Sequence, residues 1–410
     1  MGTTAAEIKK GAEELRGQIT ADRRYLHQIP EIGMDLPGTA DYIRRRLDEM
    51  GIPWKNCGGD LPEKVTKDFV EAGFPRMERA VGITAVIGHG SPCILLRADM
   101  DALPIREDND LDFKSENGWG HMCGHDSHVA MLLGAAQILK EREDSLKGTV
   151  KLVFQPGEET GAGARVLVEN GLLENPKVDA AFGIHVQSVT KTGELGYAVG
   201  VNSASLDTFI VKIKGSGGHS SQPQLCIDPL MIMNQIYQAV NLLATREADP
   251  AATVALTCGV AKGGTAVNII PDEAELHIGV RTLDVQAAEH LTKRIPELID
   301  HYVKAWRGDY DMTVFHTPCT YSDEKLCREL VPFAEEILGR ENVSQIPPMT
   351  GTEDFGYITK EVPGMFAFIG AGQPGNAPLH NPHMVLDEDV LPLGAALHAY
   401  TAISWLDLQG

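Results

Sequence analysis

No apolar run in this 410-residue sequence reaches the length needed to cross a bilayer, which excludes a transmembrane helix at the outset. Basic charge is also in short supply. The formal net charge of -21 at pH 7 repels phosphate backbones and anionic lipid surfaces, so neither nucleic acid nor a membrane is an expected partner. An anionic substrate would need a local basic group. From Met1 to Arg16 the chain mixes Lys9, Lys10, Glu7 and Glu13 with small residues and lacks the apolar run of a signal peptide. Ala6 stands where a myristoylation signal after Gly2 wants Ser or Thr, so the expected location is cytoplasmic. The seven cysteines, odd in number and scattered, read as thiols rather than a disulfide framework.

What remains is a globular composition, 43% hydrophobic and 23% charged, in a chain long enough for two domains. Ile8, Ala12, Leu15, Ile19 and Leu26 recur at helical spacing, as do Ala40, Ile43 and Leu47 before Gly51, so two amphipathic helices are expected to open the chain. Residues 56–79 are charged and weakly periodic and read as an insertion or loop. Short apolar runs at Ile83 to Ile87, Cys93 to Leu96 and Val150 to Phe154, with a helix from Val129 to Lys140, suggest an α/β sheet. A self-contained pattern follows. Strands Phe209 to Ile213, Thr253 to Thr257, Ala274 to Val280 and Met312 to Phe315 alternate with helices Pro229 to Leu243 and Ala287 to Val303 in the ferredoxin-like order β-α-β-β-α-β. The α/β character then resumes, with a buried strand Met365 to Ile369 and a closing helix Leu391 to Leu406. The expected organisation is a large domain, 1–201 and 320–410, with a smaller one, 202–319, inserted into it.

The strongest local signal is His121-Met122-Cys123-Gly124-His125-Asp126-Ser127-His128, in front of a helix. Cys123 and His125 suit a borderline-soft divalent ion such as zinc, and Asp126 could hold an imidazole in one tautomer. The plainer alternative is a helix N-terminus capped by Asp126 or Ser127. Gln155-Pro156-Gly157-Glu158-Glu159-Thr160-Gly161 follows a buried strand, where open α/β sheets place their sites. There one glutamate can ligate a metal while its neighbour moves a proton; the bland alternative is a solvated acidic turn. His185 ends the run Ala180 to Ile184, and His380 lies within Pro378 to His383; either alone reads more readily as a rim histidine. Asp99 and Asp101 follow the strand Cys93 to Leu96, and Asp101 is the expected orienting residue. Convergence of several strand ends on one edge of the sheet is what would make these groups a site.

Taken together and in order, Arg97 to Pro104, His121 to His128, Gln155 to Gly161, Gly183-Ile184-His185, Gly217-Gly218-His219, Asn268 to Pro271, Gly351 to Phe355 and His380-Asn381-Pro382 resemble the M20 peptidase family of amidohydrolases. The resemblance covers nearly the whole chain and is to the branch of hippurate hydrolases, aminoacylases and auxin-conjugate hydrolases. It implies a metallo-exopeptidase-like catalytic domain with an inserted ferredoxin-like lid and dimerisation domain. It implies that Cys123, His125, Glu159, His185 and His380 hold two divalent ions, zinc or manganese, with cobalt or nickel as alternatives, and that Glu158 is the general base. It further implies that His219 stabilises an oxyanion and that Asn268 and Arg281 grip a substrate carboxylate. The implied reaction is cleavage of the amide bond of an N-acyl amino acid by metal-activated water, in a homodimer paired through the lid. Asp99 departs from branches with a histidine ligand at that position, which leaves the bridging ligand open. Competing readings are a dipeptidase on the same scaffold, a thiol hydrolase with Cys123 as nucleophile, and a metal-binding scaffold without turnover.

Overall fold

The computed structural model describes residues 3–410; Met1 and Gly2, and with them the lipid-acceptor reading of Gly2, lie outside the described residues. Thr4 starts the first helix with a reciprocal capping box: its hydroxyl accepts from the Glu7 amide while the Glu7 carboxylate accepts from the Thr4 amide. The chain then runs through α1 (Ala5–Glu14), α2 (Arg16–His27), α3 (Pro37–Glu49), β1 (Trp54–Asp60), α4 (Glu63–Glu71), β2 (Arg79–Gly88), β3 (Cys93–Asp99), α5 (His125–Lys140), β4 (Thr149–Gln155), α6 (Gly163–Glu169), β5 (Ala180–Lys191), β6 (Leu195–Tyr197) and β7 (Gly200–Ser203). It continues with β8 (Ser205–Lys214), β9 (Gly218–His219), α7 (Pro229–Arg246), β10 (Val254–Gly263), β11 (Ile269–Ile270), β12 (Glu273–Thr282), α8 (Val285–Ala305) and β13 (Asp309–Thr317). Last come β14 (Thr320–Ser322), α9 (Glu324–Leu338), β15 (Val343–Gln345), α10 (Gly356–Glu361), β16 (Gly364–Gly372) and α11 (Val390–Gln409).

The contacts divide the chain into two compact units, one comprising residues up to Asn202 with Tyr321–Pro347 and Asp354–Gly410, the other Ser203–Thr320 with Pro348–Glu353. The segment 348–353, placed with the large domain in the sequence reading, thus clusters with the smaller unit.

In the first unit eight strands form one sheet in the order β1-β2-β4-β3-β5-β16-β6-β15. The central pairs β4–β3, β3–β5 and β5–β16 are parallel. Parallel strands covered on both faces read as continuous apolar runs rather than alternating ones, and every residue of β3 and β4 is buried. The helix α5 is buried along almost its whole length and packs against α11, which is apolar all round for the same reason. The opening periodicity is broken by a turn at Leu15, giving α1 and α2 where one helix was expected. Residues 56–79 are not a loop but carry most of β1 and all of α4. As an edge strand, β1 keeps no fully buried residue, so its sequence carries no apolar alternation.

The second unit has a four-stranded antiparallel sheet ordered β10-β12-β8-β13, the ferredoxin-like arrangement expected from its element order. Along β12, Ala274, Leu276, Ile278 and Val280 are buried, and the last three join the core formed with α7 and α8. Glu273, Glu275, His277 and Arg281 take the opposite face. No helix among the described residues is long and apolar enough to cross a membrane.

Candidate metal centre

Three parallel strands deliver the acidic and imidazole groups to one edge of the large sheet. β3 ends at Asp99, with Asp101 just beyond; β4 ends at Gln155, ahead of the turn bearing Glu158 and Glu159; His185 lies on β5, past the last residue that pairs with β3. The strand β5 runs on to Lys191, so His185 sits within a strand rather than at its end. Gly124 sits at φ +84°, and a side chain there would meet Val186 Cγ2 at 2.5 Å, so only glycine lets the chain turn between Cys123 and His125 into α5. His380 comes from the far end of the chain. Its backbone N–H donates to the carbonyl of Met122 at 2.7 Å, which fastens it to the Cys123 segment, and it holds a left-handed φ of +62°.

The five expected ligands meet. The Cys123 thiol lies 3.3 Å from His380 Nε2 and 3.5 Å from His185 Nε2. Glu159 Oε1 is 3.3 Å from His380 Nε2 and 3.9 Å from His125 Nε2. Despite those distances, neither ring nitrogen of His125 nor Glu159 Oε1 makes a hydrogen bond, although all three are shielded from solvent. Buried polar atoms without partners are costly unless a ligand satisfies them, and their convergence fits a cation. Cys123, His125 and Glu159 place one donor atom each within 4.8 Å of the others.

A second group within that range joins Asp99, His128 and His185 to His125, but His128 is already engaged. Its Nε2 accepts from the Val186 amide at 2.9 Å, so its proton sits on Nδ1, 2.5 Å from Asp99 Oδ1. With both nitrogens used, His128 braces Asp99 and is not a ligand. His185 shows the opposite arrangement. Its Nδ1 bonds the Val186 carbonyl at 2.7 Å, which fixes the tautomer and leaves the Nε2 lone pair directed at the Cys123 side of the pocket. His121 is buried with both ring nitrogens unpartnered, its ring 6.3 Å from that of His27, and burial lowers its pKa to about 3.

Asp101 acts on two parts at once. Its Oδ1 is 3.4 Å from His125 Nδ1, and its two oxygens accept the amides of Glu158 and Glu159 at 3.1 Å each. The backbone of the glutamate pair is therefore held from one side by a single carboxylate. Asp99 lies 3.6 Å from His125 Nε2 and is balanced by Arg97, whose Nη1 donates to it at 2.7 Å. Burial would raise the Asp99 pKa, yet Arg97, His125 and His128 outweigh it and the group is shifted down.

The electrostatics favour a cation here. Burial, then the charges of Glu159, Glu158 and Asp99, push the Cys123 thiol well above its ordinary range. Burial opposes protonation of His125, but Asp99, Asp101 and Glu159 prevail and raise it to about 10. A thiol that resists ionisation and an imidazole that attracts a proton both report a pocket with excess negative charge. Added positive charge would reverse both tendencies and free the thiolate and the neutral imidazole as ligands. The donor set, one sulfur, three imidazoles and carboxylate, suits zinc in softness.

The remaining expected residues lie in the second unit. Pairing of β9 with β11 sets His219 opposite Ile269, and the Ser220 amide donates to the Asn268 carbonyl, so His219 and Asn268 are neighbours. His219 Nδ1 accepts from the Ser221 amide at 3.2 Å, which places its proton on the exposed Nε2, ready to donate. Arg281 is exposed, and Nη1 donates to Thr352 Oγ1 at 2.5 Å.

Thr352, Glu353 and Asp354 are pocket or supporting candidates in the sequence without a committed role, and the contacts of Asp354 and the partners of Asp126 are what the sequence reading missed. Arg97 and Gln155 both bond Asp354 Oδ1, at 3.1 and 2.7 Å, and Asp354 Oδ2 accepts the Ala164 amide at the start of α6. Asp354 thus ties the ends of β3 and β4 together. Asp126 does hold an imidazole, but that of His27 at 2.8 Å rather than a ligand's, and it also accepts from Arg23. The only sequence trace of this pair is the four-residue spacing of Arg23 and His27 on α2.

A fold of this kind, with a thiol, imidazoles and carboxylate gathered at the sheet edge, has the make-up of a metallohydrolase-type centre. The chain belongs to peptidase family M20/M25/M40, whose model matches residues 95–404. It is 36% identical over 394 residues to the IAA-amino acid hydrolase ILR1-like 4 of Arabidopsis thaliana, covering 94% of this chain and 84% of that protein. It is 33% identical over 379 residues to an N-acetyl-L-cysteine deacetylase of Bacillus subtilis, covering 92% and 85%. Among solved structures, a Bacillus subtilis protein described as a dinuclear metal binding peptidase from the M20 family superposes with a TM-score of 0.73 at 30% identity, covering 96% and 99%.

Proposed function

We propose that the protein hydrolyses the amide bond of an N-acyl amino acid at a centre holding two divalent ions, zinc or manganese before cobalt or nickel, with Glu158 as general base. The observation that carries this reading is the meeting of Cys123, His125, Glu159, His185 and His380 beside a glutamate pair whose backbone is fixed by Asp101. Relatives that cleave acyl amino acids, by their names an IAA-amino acid hydrolase and an N-acetylcysteine deacetylase, support the substrate class.

When bound, the ions polarise the amide carbonyl and lower the pKa of water. Glu158 takes the proton of the attacking water and delivers it to the departing nitrogen, so one carboxylate serves both halves of the reaction. Asp101 holds Glu158 by its amide, so the base is oriented before substrate arrives. In the second unit, the Nε2–H of His219 donates to the developing oxyanion, Asn268 bonds the substrate carboxylate, and Arg281 meets it with a planar fork of donors. This unit, residues 202–319 in the sequence reading, serves as lid and dimerisation surface. The dimer assignment is supported by β10, an edge strand with alternate residues exposed, and by the exposed Tyr237 and Leu242 of α7. Seven free thiols are in keeping with a cytosolic location.

A panel of N-acyl amino acids and dipeptides, assayed with zinc, manganese and cobalt beside Glu158→Ala, tests the reading. Acyl amino acids should be cleaved best and the variant should be inactive. Preference for dipeptides would shift the assignment to a dipeptidase, the reading favoured by the peptidase name of the solved relative. A variant as fast as the parent would remove Glu158 from the mechanism.

A further inference from the structure

The opening helices contribute no ligand, yet α2 sends two buried cationic side chains toward the centre. Arg23 Nε donates to Asp126 Oδ2 at 3.1 Å, and Arg23 Nη1 donates to Glu388 Oε1 at 2.9 Å. Asp126 directly follows the ligand His125, and Glu388 lies on the segment that leads from the ligand His380 into α11. One guanidinium therefore joins two ligand-bearing segments that are far apart in sequence. Arg24 grips the other oxygen of Glu388 at 2.6 Å.

His27 reinforces the same joint from the next turn. It contacts Asp126 Oδ2 at 2.8 Å through Nδ1 and Glu107 Oε2 at 3.1 Å through Nε2. The Glu107 loop is itself bonded to the His380 segment: Asn109 Nδ2 donates to the Met384 carbonyl at 2.9 Å, and the Asp108 amide donates to the Pro382 carbonyl at 2.9 Å. His380 needs such support. A non-glycine residue at φ +62° persists only where its surroundings over-determine it.

We propose that Arg23 is a positioning residue for the metal centre, locking the His125 turn to the His380 segment so that their imidazoles stay at coordinating separation. The inference rests on the metal-centre reading above. The geometry uses two separate nitrogens of a planar fork, Nε for Asp126 and Nη1 for Glu388; lysine offers one nitrogen in place of two and loses that fixed spacing.

The test compares the parent with Arg23→Lys, Glu388→Gln and, as a control, Arg46→Gln. Arg46 also pairs with a buried carboxylate, Asp22 at 2.9 Å, but touches no ligand-bearing segment. Chelator-stripped proteins are titrated with zinc against a chromophoric competitor, and with cobalt while following the thiolate-to-metal absorption of Cys123. Arg23→Lys and Glu388→Gln should each weaken at least one metal equivalent by about 10-fold and alter the cobalt spectrum, the lower end of what groups bonded directly to ligands carry, since these two act one step further out. Arg46→Gln should lower the melting temperature alone. Parental affinity and spectrum in both test variants would overturn the proposal. If Arg23→Lys fails to fold, Glu388→Gln decides. A parent that takes up no ion overturns the metal reading and this role with it.

Discussion

At the scale of single residues, the proposed mechanism separates holding a cation from moving a proton and gives neighbouring glutamates one task each. Asp101 fixes both amides, so substituting one side chain need not disturb the other. Glu158→Gln is therefore expected to reduce kcat by about 10²- to 10⁴-fold, the usual range for a general base, while metal content by elemental analysis stays parental. Loss of bound metal in that variant would make Glu158 a ligand instead. Cys123 and the glutamate pair were legible in sequence because each sits in a dense run directly beside a buried strand or helix. His185 and His380 were legible only jointly, through the expected convergence of strand ends on one edge of the sheet, with the family resemblance added to that. Asp354 and Arg23 were not assigned roles, since their partners lie far off in the chain and nothing local marks a buried ion pair.

At the scale of elements, α2 and α6 act as supports whose failures are distinguishable. His27 is buried, which disfavours its charge, but Asp126 and Glu107 outweigh burial and raise its pKa to about 9 from an ordinary 6.5. A raised folded-state pKa contributes stability that is complete below about pH 6.5 and is lost as pH rises through 9, on the order of 3 kcal/mol in all. Melting temperatures from pH 6 to 10 should fall more steeply for the parent than for His27→Gln; parallel curves would mean that His27 folds uncharged. In α6, a side chain on Gly163 would come within 1.8 Å of the Pro156 carbonyl, against the turn that presents Glu158. Gly163→Ala should therefore cost activity as well as stability, read as a fall in kcat among molecules still folded at the assay temperature; unchanged kcat would show that the turn absorbs the clash. On the proposed dimer, the parent should have a dimer's mass in light scattering and the paired change Tyr237→Glu with Leu242→Glu a monomer's; a monomeric parent would contradict the dimer, and a dimeric variant would exclude α7 from the interface. Buried strands and amphipathic helices were readable from periodicity. The edge strand β1 was not, because a strand open to solvent has no apolar alternation to display.

For the whole molecule, the proposed ligand set spans Cys123 to His380, so bound ions would cross-link segments otherwise joined by the Arg23 ion pairs and by the His380 amide on the Met122 carbonyl. Chelation should abolish activity and lower the melting temperature, with about 4 kcal/mol of stabilisation expected at a free metal concentration 1,000 times Kd. The ferredoxin-like order of the second unit was readable because strand and helix periods alternate cleanly there. The assignment of 348–353 to that unit was not, since no composition change marks it. Anomalous X-ray diffraction from metal-loaded crystals tests the central claim most directly. The account predicts two peaks in the pocket of Cys123, His125, Glu159, His185 and His380, with ligand distances of about 2.0–2.3 Å. Peaks elsewhere, or a pocket in which Cys123 and His380 contact no ion, would contradict it.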